Sequence, residues 1–534
     1  MLYNQGLFKD RVPKKLRLLL MAVMTLPLLG ISPIYTTTLG DMFSGIGVLS
    51  EDLSFANNAS VIGMVLAISF VFKFKGCFTG KQILITAYLL LTSCIALISI
   101  SQNIFWITIL STAIGFIKLI GMVELLLPLM VIISPTGDRG KFYAVFYPLS
   151  IILGQLSGFL AAHIAYQYNW QEIYSLIIIL LLFCSLLALV VMHNKRAGKK
   201  QSFGKPDWIS ILLLTTSLLL ANYVLVYAKQ QGWLSSSTIV FSALGFLICG
   251  LLFILRQLTL AVPFIDIRIF KKRSVISALI VIFLMGLFLA TSALQSTFTA
   301  LLKYDAPTNA ALNLAMIPGV LLGAVIASQW FKRNWSIKSM LFIAFSCFLA
   351  NTLIMYFLIA PVIEISDLIL PQALKGAGMC LVYIGGSFYF ASKLSPGQMM
   401  STIGIAVCVR SFIGSAFFTA LLSWAAYQLQ WDSLNTLSGG MDANDALINL
   451  RGAGIQLFSA TQPQAILAAI KELFGYVALA GIMILFFVLL HPFERMSHRK
   501  LIIFRKRFKG ELLDGYRIPD KKSGELLEIG AAVI

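Results

Sequence analysis

Five ionisable side chains stand in stretches that are otherwise apolar: Asp41, Lys118, Glu124, Lys375 and Arg410. Placing a charged group in hydrocarbon costs roughly 2.5–3.5 kcal/mol even on insertion scales, so such a group is a functional candidate by default. A carboxylate there can take up a proton from one side and release it to the other, its affinity set by burial and a neighbouring cation. Glu124 and Asp41 are the candidates for that role. Lys118, Lys375 and Arg410 are candidates for holding an anionic substrate group or forming ion pairs. Lys118 and Glu124 are six residues apart, about 240° net around a helix, so they face different neighbours.

Each of these residues has a plainer alternative. Glu124, near a basic loop, suits a structural pair with the loop bases. Lys375 stands beside Gly376 and Gly378, where close helix packing competes. Arg410 suits a structural or gating ion pair. Asp41 falls beyond the roughly twenty residues that cross the core from Leu16, which places it at the outer rim. No catalytic triad, phosphate loop or metal motif accompanies the charges. His163, His193, His491 and His498 do not cluster with carboxylates, and no two of the seven cysteines have a zinc or haem spacing. The expectation is a protein that is not an enzyme and needs no cofactor or metal.

The elements that position these groups are apolar runs of about twenty residues, each long enough to span a bilayer as a helix. Of the 534 residues, 59% are hydrophobic and 12% are charged, against roughly 25% charged in a soluble domain. Lipid must solvate much of this chain. The gaps between runs alternate between basic and non-basic, the signature of a multi-spanning protein whose basic loops stay in the cytoplasm. The N-terminus carries Lys9, Arg11, Lys14, Lys15 and Arg17, and the first run, 16–39, is too long for the apolar core of a cleavable signal. Lys73, Lys75 and Lys81 follow the second run, Arg139 and Lys141 the fourth, and 194–205 is the most basic internal loop. Asp41, Glu51 and Asp52 fall in a gap without Lys or Arg, and a polar segment, 428–471, follows the thirteenth run on the same side. The pattern fits about fourteen spans with both termini cytoplasmic. The net charge of +19 then belongs to cytoplasmic loops, the tail and anionic lipid rather than to nucleic acid, for which no motif is present.

The chain also repeats. Ser134-Pro135, Ser150, Ala165-Tyr166-Gln167 and Trp170 recur at one common offset as Ser395-Pro396, Ser411, Ala426-Tyr427-Gln428 and Trp431. Lys118, Gly121 and Met122 match Lys375, Gly378 and Met379 at a slightly shorter offset. Span 4 thus resembles span 12, and span 5 resembles span 13. An eight-span offset in fourteen divides the chain as six, two and six, a parallel-repeat architecture of transporters. The segments are 1–193 as a first bundle, 194–273 as a basic loop with an inserted pair and linker, 274–492 as a second bundle, and 493–534 as a basic cytoplasmic tail.

This all-α polytopic organisation resembles the major facilitator superfamily (MFS) fold of the fourteen-span drug/proton antiporters, the EmrB/QacA type. The resemblance is clearest around the inserted pair, in Asp207-Trp208, Gln231-Gly232-Trp233 and Pro263-Phe-Ile-Asp-Ile-Arg-Ile-Phe270. Arg410-Ser-Phe-Ile-Gly414 resembles the family's Arg-x-x-Gly-Gly, and Pro318 sits where the family often has a proline in span 10. Two motifs depart. The loop motif Gly-x-x-x-Asp-Arg-x-Gly-Arg reads here Gly76-Cys-Phe-Thr-Gly80-Lys81, without the Asp, and the antiporter motif of span 5 reads Gly154-Gln-Leu-Ser-Gly158 without its proline. The resemblance implies proton-coupled efflux of drugs or amphipathic small molecules by alternating access, in the inner membrane of a bacterium. Partners are then a small-molecule substrate, protons, membrane lipid, and a periplasmic adaptor with an outer-membrane channel. Gly154, Gly158, Lys73, Lys81 and Pro318 become gating or packing positions. A metabolite or siderophore exporter of the same fold, or a lipid or polysaccharide flippase, is the alternative. A flippase predicts a seven-span repeat, a membrane glycosyltransferase a large outer domain, and a peptide importer a Glu-x-x-Glu-Arg signature in span 1; this sequence has none of these.

Overall fold

Backbone polar groups in hydrocarbon find no water, so each crossing segment must satisfy them internally, as a helix does. The computed structural model describes residues 7–9, 12–134, 139–194, 207–260, 263, 265–391, 394, 405–439, 455–493, 518–519 and 526–527. Among the described residues, fourteen helical segments are long and apolar enough to cross a membrane. Spans 1–6 are Leu16–Ile46, Ser50–Cys77, Gly80–Ile100, Ile104–Met130, Arg139–Gln167 and Trp170–Val191. Spans 7 and 8 are Trp208–Tyr227 and Ser237–Thr259. Spans 9–14 are Arg273–Leu301, Ala306–Lys332, Ile337–Leu358, Ile365–Ala391, Ile405–Gly439 and Thr461–Leu490. The chain from Met1 to Leu489 packs as one compact unit. The second unit, Leu490–Ile534, contributes an antiparallel pairing of Ile518–Pro519 with Leu526–Leu527.

Local chemistry marks where helices begin. Thr79 and Gln82 form a reciprocal capping box at span 3, and the Asn103 side chain accepts from the Phe105 N–H at span 4. Asp207 and Asp305 cap spans 7 and 10 by accepting from the Ser210 and Thr308 N–H groups. Gly47, at φ 75°, closes span 1 in the left-handed conformation that glycine adopts without strain.

Three boundaries differ from the hydropathy reading. Span 1 continues to Ile46, so Asp41 lies within the helix rather than in the following gap, and Glu51 and Asp52 lie in the first turn of span 2. Hydropathy drops at Gly40-Asp41, but the helix has no breaker until Gly47. Much of the 428–471 loop is helical, because span 13 runs to Gly439 and the last helix is Ile455–Leu490. Residues 440–454, Lys393 and most of the basic tail lie outside the described residues. Span 10 is two pieces, Ala306–Leu314 and Met316–Lys332, and Pro318 sits in the first turn of the second. Its missing N–H there is one of the donors a helix start leaves unpaired anyway.

Spans 2 and 4 cross with their backbones in contact. A Cβ on Gly115 would sit 1.7 Å from the Ser60 carbonyl oxygen, and one on Gly63 would sit 2.0 Å from that of Thr112. Spans 10 and 12 do the same: a Cβ on Gly319 would sit 1.7 Å from the Ala373 oxygen, and one on Gly376 would sit 2.3 Å from that of Met316. Small residues permit this closeness. Gly115 and Gly376 are separated by the same offset that relates span 5 to span 13. That alignment corrects the pairing of Lys118 with Lys375. The shorter offset shifted the match by four residues, so the two lysines occupy one helix face about a turn apart.

Candidate functional site

Glu124 is buried near one end of span 4, with its carboxylate 3.3 Å from the Lys75 ammonium at the end of span 2. A Cβ on Gly80 would come within 2.5 Å of the same carboxylate, so the retained loop glycine is what admits Glu124. The other loop bases have separate work. Lys81 donates to the Leu189 carbonyl at the end of span 6 (2.6 Å), and Lys73 lies over the Phe70 ring at 5.9 Å. Thr79 bonds Asn194 at 2.6 Å, and Lys9 donates to the Val190 carbonyl. Around the second set of spans, Lys338 donates to the Leu489 carbonyl, and Arg139 to that of Ala391. Together these contacts gather the basic ends of the helices.

Lys118 faces elsewhere, as the 240° separation requires. It is 7% exposed and donates to the Ser32 hydroxyl of span 1 at 2.6 Å. Together with Tyr35, Ser60, Ser111 and Tyr174 it lines a cavity whose remaining wall is largely apolar. Lys375 is 2% exposed and donates to the Ser292 hydroxyl at 2.7 Å and the Thr291 hydroxyl at 3.1 Å, both from span 9. Arg410 lies in the π-helical stretch Cys408–Gly414 of span 13, with its guanidinium 5.1 Å from the centre of the Tyr383 ring. Such stretches recur at functional sites.

Span 5 contacts span 12 through aromatic and polar groups. The Tyr147 and Ser387 hydroxyls are 2.6 Å apart, and the Tyr147 and Tyr383 rings lie 5.6 Å apart. Gly158 meets span 1, where its Cβ would lie 3.1 Å from the Thr37 hydroxyl. Gly154 is half-buried in span 5, and its carbonyl accepts from Ser157. Asp41 lies half-buried near the end of span 1, away from this cluster, and its neighbour Ser44 donates to its backbone carbonyl.

The structure thus assigns Glu124 to Lys75 and Lys118 to Ser32. Sequence reasoning missed Ser32, Ser292, Tyr147 and Tyr383. Hydroxyls in spans commonly bond their own backbone, so they carry no signal of a partner on another helix. Among the described residues there is no group of three or more metal-ligating side chains.

No family model matches the chain. The lincomycin resistance protein LmrB of Listeria monocytogenes serovar 1/2a is 25% identical over 218 residues, 38% of this chain and 43% of that protein. The LmrB of Listeria innocua serovar 6a matches to the same extent. The match thus spans less than half the length of these curated relatives. Among solved structures, one of a proton dependent oligopeptide transporter superposes with a TM-score of 0.57 at 13% identity, covering 89% of this chain and 98% of that one. A bacterial homologue of the human drug peptide transporters PepT1 and PepT2 gives 0.55 at 12% identity, covering 93% and 100%. The nucleoside transporter NupG gives 0.53 at 13% identity, covering 89% and 99%. The chain is an integral membrane protein with the all-helical fold of these solved transporters.

Proposed function

We propose that this chain is a secondary active transporter of the fourteen-span drug/proton antiporter type, exporting amphipathic small molecules across a bacterial inner membrane. Two six-helix bundles, 1–193 and 274–492, rock about a shared chamber, with the pair in 194–273 inserted between them and both termini in the cytoplasm.

The observation that carries this reading is the duplicated glycine crossing, Gly63 with Gly115 and Gly319 with Gly376. A second duplication supports it. Lys81 at the start of span 3 clips the end of span 6, and Lys338 at the start of span 11 clips the end of span 14. Both match span n with span n plus eight, which leaves spans 7 and 8 as the insertion. The partial likeness to a lincomycin resistance protein agrees with export of a drug-sized cargo. The helices flanking 440–454 also agree with a docking platform for a periplasmic adaptor. Span 13 is 35 residues long, about 50 Å at about 1.5 Å per residue, against about 30 Å of hydrocarbon.

Energy comes from the proton gradient, worth about 2.3 kcal/mol per charge per 100 mV of potential. Glu124 is the coupling carboxylate in this scheme: protonation releases Lys75 and loosens the basic ends of spans 2 and 4. Purified protein in proteoliposomes, with ethidium and an imposed pH gradient, tests it. Gradient-driven flux is expected in the wild type, with Glu124→Gln losing it and Asp41→Asn keeping most of it. Undiminished flux in Glu124→Gln rules Glu124 out as the coupling group.

A further inference from the structure

We propose that the groove between spans 4 and 7 is a lipid site. It holds an acyl chain of one phospholipid whose headgroup carries an ammonium, as an ethanolamine lipid does, with that headgroup at the acidic start of span 2.

Spans 4 and 7 both pack on span 2. Gly63 and Gly115 bring spans 2 and 4 into backbone contact, and Asn222 ties span 7 to Asn58 and to the Phe55 carbonyl. Between spans 4 and 7 runs a cavity of about 840 Å³ that opens to the surface, and Gly63 and Ala113 in its wall give it depth. Phe105 and Ile109, also in the lining, are 64% and 43% exposed. Both belong to span 4, so the medium they meet is hydrocarbon. The polar groups of the wall are already engaged. Thr108 and Thr112 donate to the Ile104 and Thr108 carbonyls of their own helix, and Gln231 donates to the Tyr223 hydroxyl, each at 2.9 Å. Apolar wall atoms gain dispersion contacts from an apolar occupant, and lipid tails are as apolar as leucine.

The dimensions suit a chain from one leaflet. In span 4 the lining runs from Ile104 to Ile117, the midpoint of Ile104–Met130. That is about 20 Å at about 1.5 Å per residue, against about 15 Å for half of the hydrocarbon core. The lining of span 2 starts at Phe55, near that helix's start, and the lining of span 7 ends at Tyr227, its last residue. A helix about 20 Å long and 10 Å across would fill roughly 1,600 Å³, about twice the space. A span from a second copy therefore does not fit within it.

The mouth is acidic. The Tyr227 hydroxyl donates to the Asp52 carboxylate, and the Phe55 and Tyr227 rings lie 6.0 Å apart. Tyrosines favour this interfacial depth. Glu51 adjoins Asp52, and the gaps at this end of spans 2, 4 and 7, 47–49, 101–103 and 228–236, hold one base, Lys229. That lysine lies over the Tyr427 ring of span 13 at 5.8 Å. A headgroup with phosphate alone would be repelled by Asp52, whereas an ethanolamine headgroup brings the matching cation.

Full-length protein, purified in detergent and stripped of lipid, is titrated with dioleoylphosphatidylethanolamine or dioleoylphosphatidylglycerol, which differ in headgroup alone. Bound lipid is counted by native mass spectrometry. One lipid is expected to bind first, the ethanolamine form about fivefold more tightly, a difference of the size one charge makes at a membrane surface. Ala113→Trp and Ile109→Trp, which fill the groove, are expected to lose most binding of both lipids. Asp52→Asn, which can still accept from Tyr227, is expected to bring the two to equal affinity. Equal affinity or a glycerol preference in the wild type overturns the proposal, as does undiminished ethanolamine-lipid binding in Ile109→Trp. Ile109 is exposed, so its variant decides the matter where Ala113→Trp does not fold. No readout involves flux, so the site is tested apart from the transport reading.

Discussion

Gly115 illustrates how little room the spans leave. An added methyl would land 1.7 Å from the Ser60 carbonyl oxygen, which belongs to the backbone and cannot rotate away. Gly115→Ala is therefore expected to lower stability by about 1–3 kcal/mol, the usual cost of overpacking, read as an earlier thermal midpoint in detergent. Gly40→Ala is the control. Nothing lies within 4 Å of that position, and removing a helical glycine stabilises by about 0.5–1 kcal/mol. The ionisable residues were legible at this scale because a charge in an apolar run is conspicuous. Their partners were less so. The pairing of Glu124 with a loop base was visible as an alternative, since Lys73, Lys75 and Lys81 end the preceding basic stretch. Ser32 beneath Lys118 was not, because nothing in span 1 distinguishes a serine aimed at another helix from one bonded to its own backbone.

The pair formed by spans 7 and 8 shows what the elements decide. Span 7 lies against span 2 through bonds that hydropathy does not reveal. Asn222, fully buried, accepts from Asn58 and donates to the Phe55 carbonyl, each at 2.9 Å, and Tyr227 bonds Asp52. Leu218 joins Ile62, Leu66 and Phe412 in one cluster, so span 7 touches both span 2 and span 13. Asn222→Leu leaves Asn58 and a carbonyl without partners in hydrocarbon and is expected to cost about 1 kcal/mol, detectable by thermal melting. At the other end of the pair, Asp207 accepts from Arg256 at 2.8 Å. The Arg256 hydrogen bonds hold the Asp207 carboxyl down to about 2 from its ordinary 3.8. A depressed carboxyl stabilises the fold above its ordinary value and loses that contribution as pH falls through the lowered one. The hairpin should therefore hold from neutral pH to about 4 and weaken between about 4 and 2, a window that Asp207→Asn abolishes. The hairpin's existence could be read from the residues that open and turn it. Its seat against span 2 could not, because one buried asparagine is invisible to a hydropathy average.

For the whole molecule, the contacts between spans 5 and 12 set a testable distance. The Tyr147 and Ser387 hydroxyls are 2.6 Å apart. Cysteines at these positions, in a background lacking the native seven, should cross-link with a short bis-methanethiosulfonate reagent, each thiolate forming a disulfide and expelling methanesulfinate; the proposed bundles could then no longer separate there. Flux should stop on cross-linking and return on reduction; undiminished flux in the linked protein would show that the contact never opens. The count of spans was legible at this scale because alternating charge and hydropathy agree with each other. The proposed division into bundles rests, in the sequence, on short matches at a fixed offset. The one match taken at a different offset, Lys118 with Lys375, was displaced by a turn.

The lysines at the basic ends do double service under the positive-inside reading. Lys9, Lys81 and Lys338 each hold a carbonyl at the closing turn of a distant helix, where a cation also offsets the negative end of the helix dipole. Charge that orients a segment during insertion is thus retained afterwards as a fastener, and each fastener closes only once a helix made much later has arrived. Swapping such a lysine for glutamine would damage biogenesis and cohesion together, whereas arginine would spare both. A lesion at one of these sites would accordingly appear as loss of protein from the membrane before it appeared as loss of activity.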